Sequence, residues 1–288
     1  MFTFRSMLNK CGFIRGSWGI HDAGGNVTVP IGINDCNQIQ YLVLGSDAAN
    51  HALISGRVGS GKSQLMHVVI AAALLSYKPS EIQLYIVDLK EGHEYKHYEE
   101  YPLPHIRRVA AGVERDEGNE VLRLVDDELS LRSEIFNRHG IRDFYEYSQT
   151  GLPKLPCIIL IVDEFQMLFE VDDSVAREST QILERLIRQG RALGIHVLLC
   201  LQSLAGLYNM SLSILEQIAI RIAFSSNDIE ARYILAEDNP AAVYLTNPGE
   251  AIYNAKNGLV EGNNHFQAAY ISPEELSYYL EEVRALNK

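Results

Sequence analysis

Residues 54–65 read Ile-Ser-Gly-Arg-Val-Gly-Ser-Gly-Lys-Ser-Gln-Leu and place Gly56, Gly61, Lys62 and Ser63 in a G-x-x-x-x-G-K-S pattern. Such a turn, entered from a strand and left by a helix, curls backbone N–H groups into a nest for phosphate, and the helix N-terminus adds partial positive charge. The expected phosphate cradle is Gly56, Arg57, Val58, Gly59, Ser60, Gly61, Lys62, Ser63 and Gln64. Lys62 is positioned to reach the β- and γ-phosphates, and the Ser63 hydroxyl to ligate Mg²⁺. The bland alternative is a glycine-rich turn that matches by chance, and the strand–turn–helix context disfavours it.

A second group lies at "IILIVDEF", where four apolar residues or more lead into Asp163 and Glu164. The pair then sits at the C-terminal edge of a sheet, where α/β folds bind ligands. Asp163 is read as the Mg²⁺ ligand, through its water shell. Glu164 is read as the base that polarises the water attacking the γ-phosphate. The two motifs together predict ATP as substrate, Mg²⁺ as cofactor and ATP hydrolysis as the reaction. A third polar residue, Gln202, ends the apolar run "IHVLLCLQS" and is read as a sensor touching both γ-phosphate and water. His196, in the same run, reads as a packed core residue.

These residues need elements to hold them. Strands are expected at 51–55, 82–88, 157–165, 195–201, 217–225 and 250–254, with a further β-rich stretch from "VTVPIGI" onward. Helices are expected from Lys62 to about Tyr77, Asp116 to His139, Ser174 to Leu193 and over "PEELSYYLEEVRAL". In the second of these, Val121, Leu122, Leu124, Val125, Leu129 and Leu131 fall mostly on one face. Strands apolar on both faces, alternating with helices, indicate an α/β fold with a mainly parallel sheet covered on both sides. Residues 1–27 read as an N-terminal arm or domain junction, and 28–288 as one ATPase domain.

The chain of 288 residues is 47% hydrophobic, enough for one large core. No apolar run is long enough to span a bilayer and the N-terminus has no signal-peptide pattern, so direct membrane insertion is not expected. Cys11, Cys36, Cys157 and Cys200 show no C-x-x-C spacing, and Cys157 and Cys200 fall in buried-strand patterns. Reduced core thiols and a cytoplasmic location are the expectation. A net charge of −12 excludes a broad basic surface for nucleic acid, though not a few cations in a narrow channel.

Six blocks, "NHALISGRVGSGKS", "LYIVDLKEGHEY", "LPCIILIVDEFQMLF", "LIRQGRALGIHVLLCLQS", "IAIRIAFSSNDIEARYIL" and "PGEAIYN", resemble the FtsK/SpoIIIE DNA translocases of the FtsK–HerA group. The likeness covers roughly residues 28–270, and "RQGRALGIH" is its most diagnostic part. It implies a RecA-like P-loop motor with Walker A and Walker B motifs, assembled as a hexameric ring that pumps double-stranded DNA. By the same resemblance, Arg191 serves as a trans arginine finger in a neighbour's site, with Arg188 as the alternative. Arg221 and Arg232 match family positions that serve either the subunit interface or the fold.

The chain also departs from the family. The pore loops map to about 148–155 and 203–214; the second carries no Lys or Arg, and the first offers only Lys154. Ser203, Ser211 and Ser213 remain as phosphate contacts. Membrane spans and a winged-helix module of chromosome translocases are missing from the sequence, which suggests a motor served by partner proteins or further domains. Two rival readings stay open: an FtsK-like ATPase that powers or gates protein secretion, and an ATP-switched assembly module.

Overall fold

The computed structural model describes residues 2–14, 23–24, 26–45, 49–90, 94–101, 103–205, 207 and 212–286. The chain order is α1 (Phe4–Lys10), β1 (Val27–Asn34), β2 (Ile39–Leu44), β3 (Ala52–Ser55), α2 (Lys62–Ser76), β4 (Ile82–Asp88), α3 (Lys96–Glu100), β5 (Ile106–Ala111), α4 (Arg115–His139), α5 (Phe144–Ser148), β6 (Cys157–Asp163), α6 (Ser174–Gln189), β7 (Ile195–Leu201), α7 (Leu212–Glu216), β8 (Ile220–Phe224), α8 (Asp228–Ile234), β9 (Glu250–Asn254), β10 (Asn263–Ala268) and α9 (Pro273–Ala285).

Among the described residues, one sheet carries ten strands in the order β2-β1-β10-β9-β8-β3-β7-β6-β4-β5. From β8 to β5 every pairing is parallel. From β8 back to β2 every pairing is antiparallel. The expected mainly parallel sheet is therefore present, and an antiparallel wing extends it. The run 250–254 belongs to that wing, beside β8 and reversed relative to it.

The central strands are the most apolar. Every residue of β3, β6 and β7 is buried, as parallel strands covered on both faces require. Helix α2 is apolar almost all round and lies against β1 and α9, a setting that leaves it no solvent face. Helices α4 and α6 pack on each other. Val121, Leu122, Val125, Leu129 and Phe136 of α4 point inward. Leu124 and Leu131 do not: they are 47% and 52% exposed, because they sit off the i, i+3/i+4 stripe that faces the sheet and α6.

Three boundaries differ from the sequence reading, each for a local reason. Strand β6 stops at Asp163, and Glu164 takes a left-handed conformation (φ 55°) before a 3-10 turn over Phe165–Phe169. Helix α6 ends at Gln189 and gives way to a 3-10 turn, Gly190–Leu193, closed by Gly194 at φ 69°. Strand β8 begins three residues later than expected, at Ile220. Within the expected N-terminal arm, α1 buries Phe4 and Met7, and Phe4 meets Tyr279 edge-on at 5.2 Å. Residues 15–22 and 25 of that arm lie outside the described residues. Among the described residues no helix is long and apolar enough to cross a membrane.

Candidate active site

The glycine-rich loop joins the C-terminal end of β3 to α2. Its entry is tied down on both sides: Gly56 N donates to Leu201 O at 3.3 Å and Arg57 N to Ser225 O at 3.3 Å. A side chain at Gly56 would meet Phe224 Cβ at 2.7 Å. Gly61 holds φ 112°, a region closed to other residues. It also leaves α2 without a side-chain cap, so the first-turn amides of Lys62, Ser63 and Gln64 are kept for an external acceptor. Arg57, Val58 and Gly59 are exposed at the crest. Gly249, from the "PGEAIYN" block, braces the loop by donating to Ser60 O at 2.8 Å. A Cβ on Gly61 would come within 3.0 Å of the Gly249 backbone.

The carboxylates face this loop from the end of β6, two strands away in the order β3-β7-β6. Lys62, Asp163 and Glu164 are 2%, 4% and 4% exposed. Lys62 Nζ donates to Asp163 Oδ1 and lies 3.2 Å from Glu164 Oε1. Burial on its own drives the ammonium toward the neutral amine, but the facing carboxylates of Asp163 and Glu164 overcome it and hold Lys62 above the usual lysine range. Charges this deeply buried persist only in one another's company.

Further groups complete the shell. Tyr95 OH donates to Asp163 Oδ2 at 3.0 Å, and Glu164 N donates to Asp163 Oδ1 at 3.0 Å. Gln166 Nε2 donates to Glu164 Oε2 at 2.7 Å, fixing that carboxylate on a backbone already held in a sparsely populated conformation. Asp88 pairs with Asp163 in the β4–β6 register. Burial pushes its pKa up to about 6; the Lys90 amide opposes this and the Asp163 charge adds to it. Lys90 Nζ donates to Gln202 Oε1 at 2.9 Å.

The structure thus brings together the loop 56–64, Asp163, Glu164 and Gln202 at one edge. It does not bring Arg191 to them. Arg191 is exposed in the 3-10 turn that precedes β7, at the edge where the parallel strands begin. Seven residues of β7 separate it from Gln202, about 20 Å of strand. Arg188, in the last turn of α6, is at that same far edge. Arg221 is buried and its guanidinium donates to Leu215 O; Arg232 bonds Asp228 at 3.0 Å, so both serve contacts within the fold. His196 is a core residue, its Nδ1 donating to Asn50 O at 2.7 Å. Cys157 and Cys200 are buried free thiols, and burial pushes Cys157 up to about 12.

Of the two expected pore loops, 148–155 enters β6 at the far edge, and its Lys154 is paired with Glu81 at 3.2 Å. The segment 203–214 leaves β7 at the loop edge, directly after Gln202. Residues 206 and 208–211, Ser211 among them, lie outside the described residues, as does the side chain of Ser213. Four participants escaped the sequence reading: Asp88, Lys90, Tyr95 and Gln166. A usable signal existed for the first two, since β4 ends in an acid as β6 does, at "IVDLK".

The arrangement suits a nucleoside triphosphate. Three carboxyls (Asp88, Asp163, Glu164) stand against one buried ammonium, an excess of negative charge that fits a divalent cation between them and a phosphate chain.

Comparison with known proteins agrees with this chemistry. The FtsK/SpoIIIE family pattern matches residues 20–206, well over half of the chain. An ESX secretion system protein EccC of Geobacillus thermodenitrificans is 29% identical over 89% of this chain and 17% of its own length. A DNA translocase FtsK of Halalkalibacterium halodurans is 30% identical over 83% of this chain and 30% of its own length. The chain therefore spans less than a third of either relative. The cytoplasmic domain of the type VII secretion ATPase EccC of Thermomonospora curvata shares the fold at TM-score 0.75, with 24% identity, over 99% of this chain and 34% of that one. The conjugation coupling protein TcpA shares it at TM-score 0.72, with 21% identity, over 96% of this chain and 75% of that one. With a phosphate loop, paired acids and polar strand tip at one sheet edge of such a fold, the chain belongs to the FtsK/SpoIIIE family and is an ATPase of that family.

Proposed function

We propose that this domain is the motor of a ring in which each subunit binds ATP at its own loop and receives Arg191 from a neighbour. The observation that carries the reading is the placement of Arg191 at the sheet edge opposite its own Lys62. A guanidinium there is useless to its own γ-phosphate and free to serve the next subunit's. Lys62 leaves the Asp163–Glu164 pair for the β- and γ-phosphates, and Ser63 and Asp163 would hold Mg²⁺ beside them, Asp163 through its water shell. When bound, that ion would supply charge neutralisation on the phosphates. Glu164, held by Gln166, orients the attacking water and accepts its proton. Gln202 contacts the γ-phosphate and passes its presence or loss to the adjoining segment 203–214.

The cargo we propose is double-stranded DNA, by kinship with the FtsK translocase. A specific observation favours a second cargo, an exported protein: the 203–214 segment has no Lys or Arg, and the EccC relatives are secretion proteins. The subunits are proposed to assemble as hexamers and to act with partner proteins or further domains. ATP turnover with and without long double-stranded DNA, across salt, separates the two. Stimulation that fades steeply with salt is the expected result for DNA. No stimulation at high protein concentration and low salt removes DNA as the cargo.

A further inference from the structure

Strand β6 lies between β7 and β4 in the sheet. Gln202 stands one residue beyond the end of β7, and Lys90 two residues beyond the end of β4. Their hydrogen bond, Lys90 Nζ to Gln202 Oε1 at 2.9 Å, therefore bridges across the end of the strand that closes on Asp163, just before Glu164. The Lys90 backbone is anchored for this reach: its N–H donates to Asp88 Oδ1 at 3.1 Å, and the preceding Leu89 N donates to Asp163 O at 3.3 Å.

We infer that Lys90 is a positioning residue that fixes which end of the Gln202 amide faces the nucleotide. An ammonium only donates, so the Gln202 atom it meets is the carbonyl oxygen. With that oxygen engaged, Gln202 offers the site its NH₂, two donors suited to an oxygen of the terminal phosphate. A glutamine free to turn over offers either end, and its carbonyl is repelled by a phosphate. Lys90 thus holds Gln202 with its donor end toward the γ-phosphate. The bond is exposed on the Lys90 side, so its value lies in orientation more than in stability. The role holds whichever cargo the motor moves; it rests on Gln202 as the γ-phosphate sensor.

The test is equilibrium binding of ADP and of the non-hydrolysable analogue AMP-PNP to the full chain, which needs neither cargo nor ring. The quantity read is the ratio of the two dissociation constants, for wild type, Lys90→Met, Lys90→Arg, Gln202→Ala and the Lys90→Met/Gln202→Ala double variant. Loss of a hydrogen bond to a charged phosphate should lower the preference for the triphosphate by about tenfold. Lys90→Met is expected to lose a measurable part of what Gln202→Ala loses, the double variant no more than Gln202→Ala alone, and Lys90→Arg to retain the preference. A wild-type ratio in Lys90→Met, with Gln202→Ala reduced, overturns the inference alone. Losses that multiply in the double variant overturn it too, because Lys90 then acts on the phosphate by itself. An unchanged ratio in Gln202→Ala removes the sensor reading and the inference together. Thermal melts of each variant exclude misfolding as the cause.

Discussion

The two edges of the parallel strands bury polar groups by opposite rules. At the edge where the strands end, Lys62, Asp163, Glu164 and Asp88 are buried with charges that compensate one another incompletely. At the edge where they begin, buried polar groups are satisfied chiefly by backbone. Arg132 is fully buried and donates to the carbonyls of Leu193, Gly194 and Pro156 at 2.8, 3.4 and 2.7 Å. His51 Nε2 donates to Ile187 O at 3.0 Å while its Nδ1 accepts from Val197 N at 3.1 Å. One edge carries charge in excess; at the other, side chains are bonded to backbone. The 3-10 turn carrying Arg191 also contains Leu193, whose carbonyl accepts from Arg132 at 2.8 Å.

The largest effect is expected at the first edge. Glu164→Gln keeps the shape and the Gln166 contact but removes the base, and turnover should fall by about 10³-fold while nucleotide binding persists. Turnover within a few-fold of wild type would show that Glu164 is not the base. At the second edge the large effect is on stability. Arg132→Leu strips donors from three buried carbonyls and should cost about 3 kcal/mol or more in a denaturant melt. A smaller loss would mean that water reaches those carbonyls.

Acid sharpens the same contrast. Burial, reinforced by the neighbouring His196, pushes His51 down to about 3, and burial pushes His196 and His105 down to about 4. In the unfolded chain imidazoles take up protons near pH 6.5. The unfolded state then binds more protons than the folded one between those values. Stability is present in full above that pH and is lost as pH falls. Melting temperature should therefore decline from about pH 7.5 to about pH 5, ahead of most carboxylate titration; a flat profile contradicts the neutral, backbone-bonded assignment. The smallest effect belongs to solvent-facing pairs. Arg185, 2.8 Å from Asp126 and half exposed, should change stability by less than about 1 kcal/mol when replaced by Ala.

How much was legible in the sequence follows from these physical differences. The phosphate loop, β3, β6 and β7 announce themselves because full burial demands unbroken apolar runs and because Gly, Lys and Ser stand at fixed spacing. Strand β5 was missed: as an edge strand it tolerates Arg107 and Arg108 side by side. Strand β10, Asn-Asn-His-Phe-Gln-Ala, buries only alternate residues on its second half and carries no apolar run. Without it the antiparallel wing could not be anticipated. Lys90 and Tyr95 were missed because their roles depend on β4 lying next to β6, and strand order is not written in any local pattern. Glu164 was identified as an acid, while its left-handed backbone and its Gln166 support were invisible without coordinates.

The central claim is that the active site is divided between subunits, with Arg191 supplied across the ring. Mixing tests it most directly. Glu164→Gln subunits keep Arg191 but cannot hydrolyse; Arg191→Ala subunits keep Glu164 but lack the arginine, and each alone should be nearly inactive. Mixed at high concentration, they should recover a sizeable fraction of wild-type ATP turnover, since some neighbours pair an intact Glu164 with an intact Arg191. No recovery across mixing ratios, or an Arg191→Ala protein already active alone, would contradict the divided site.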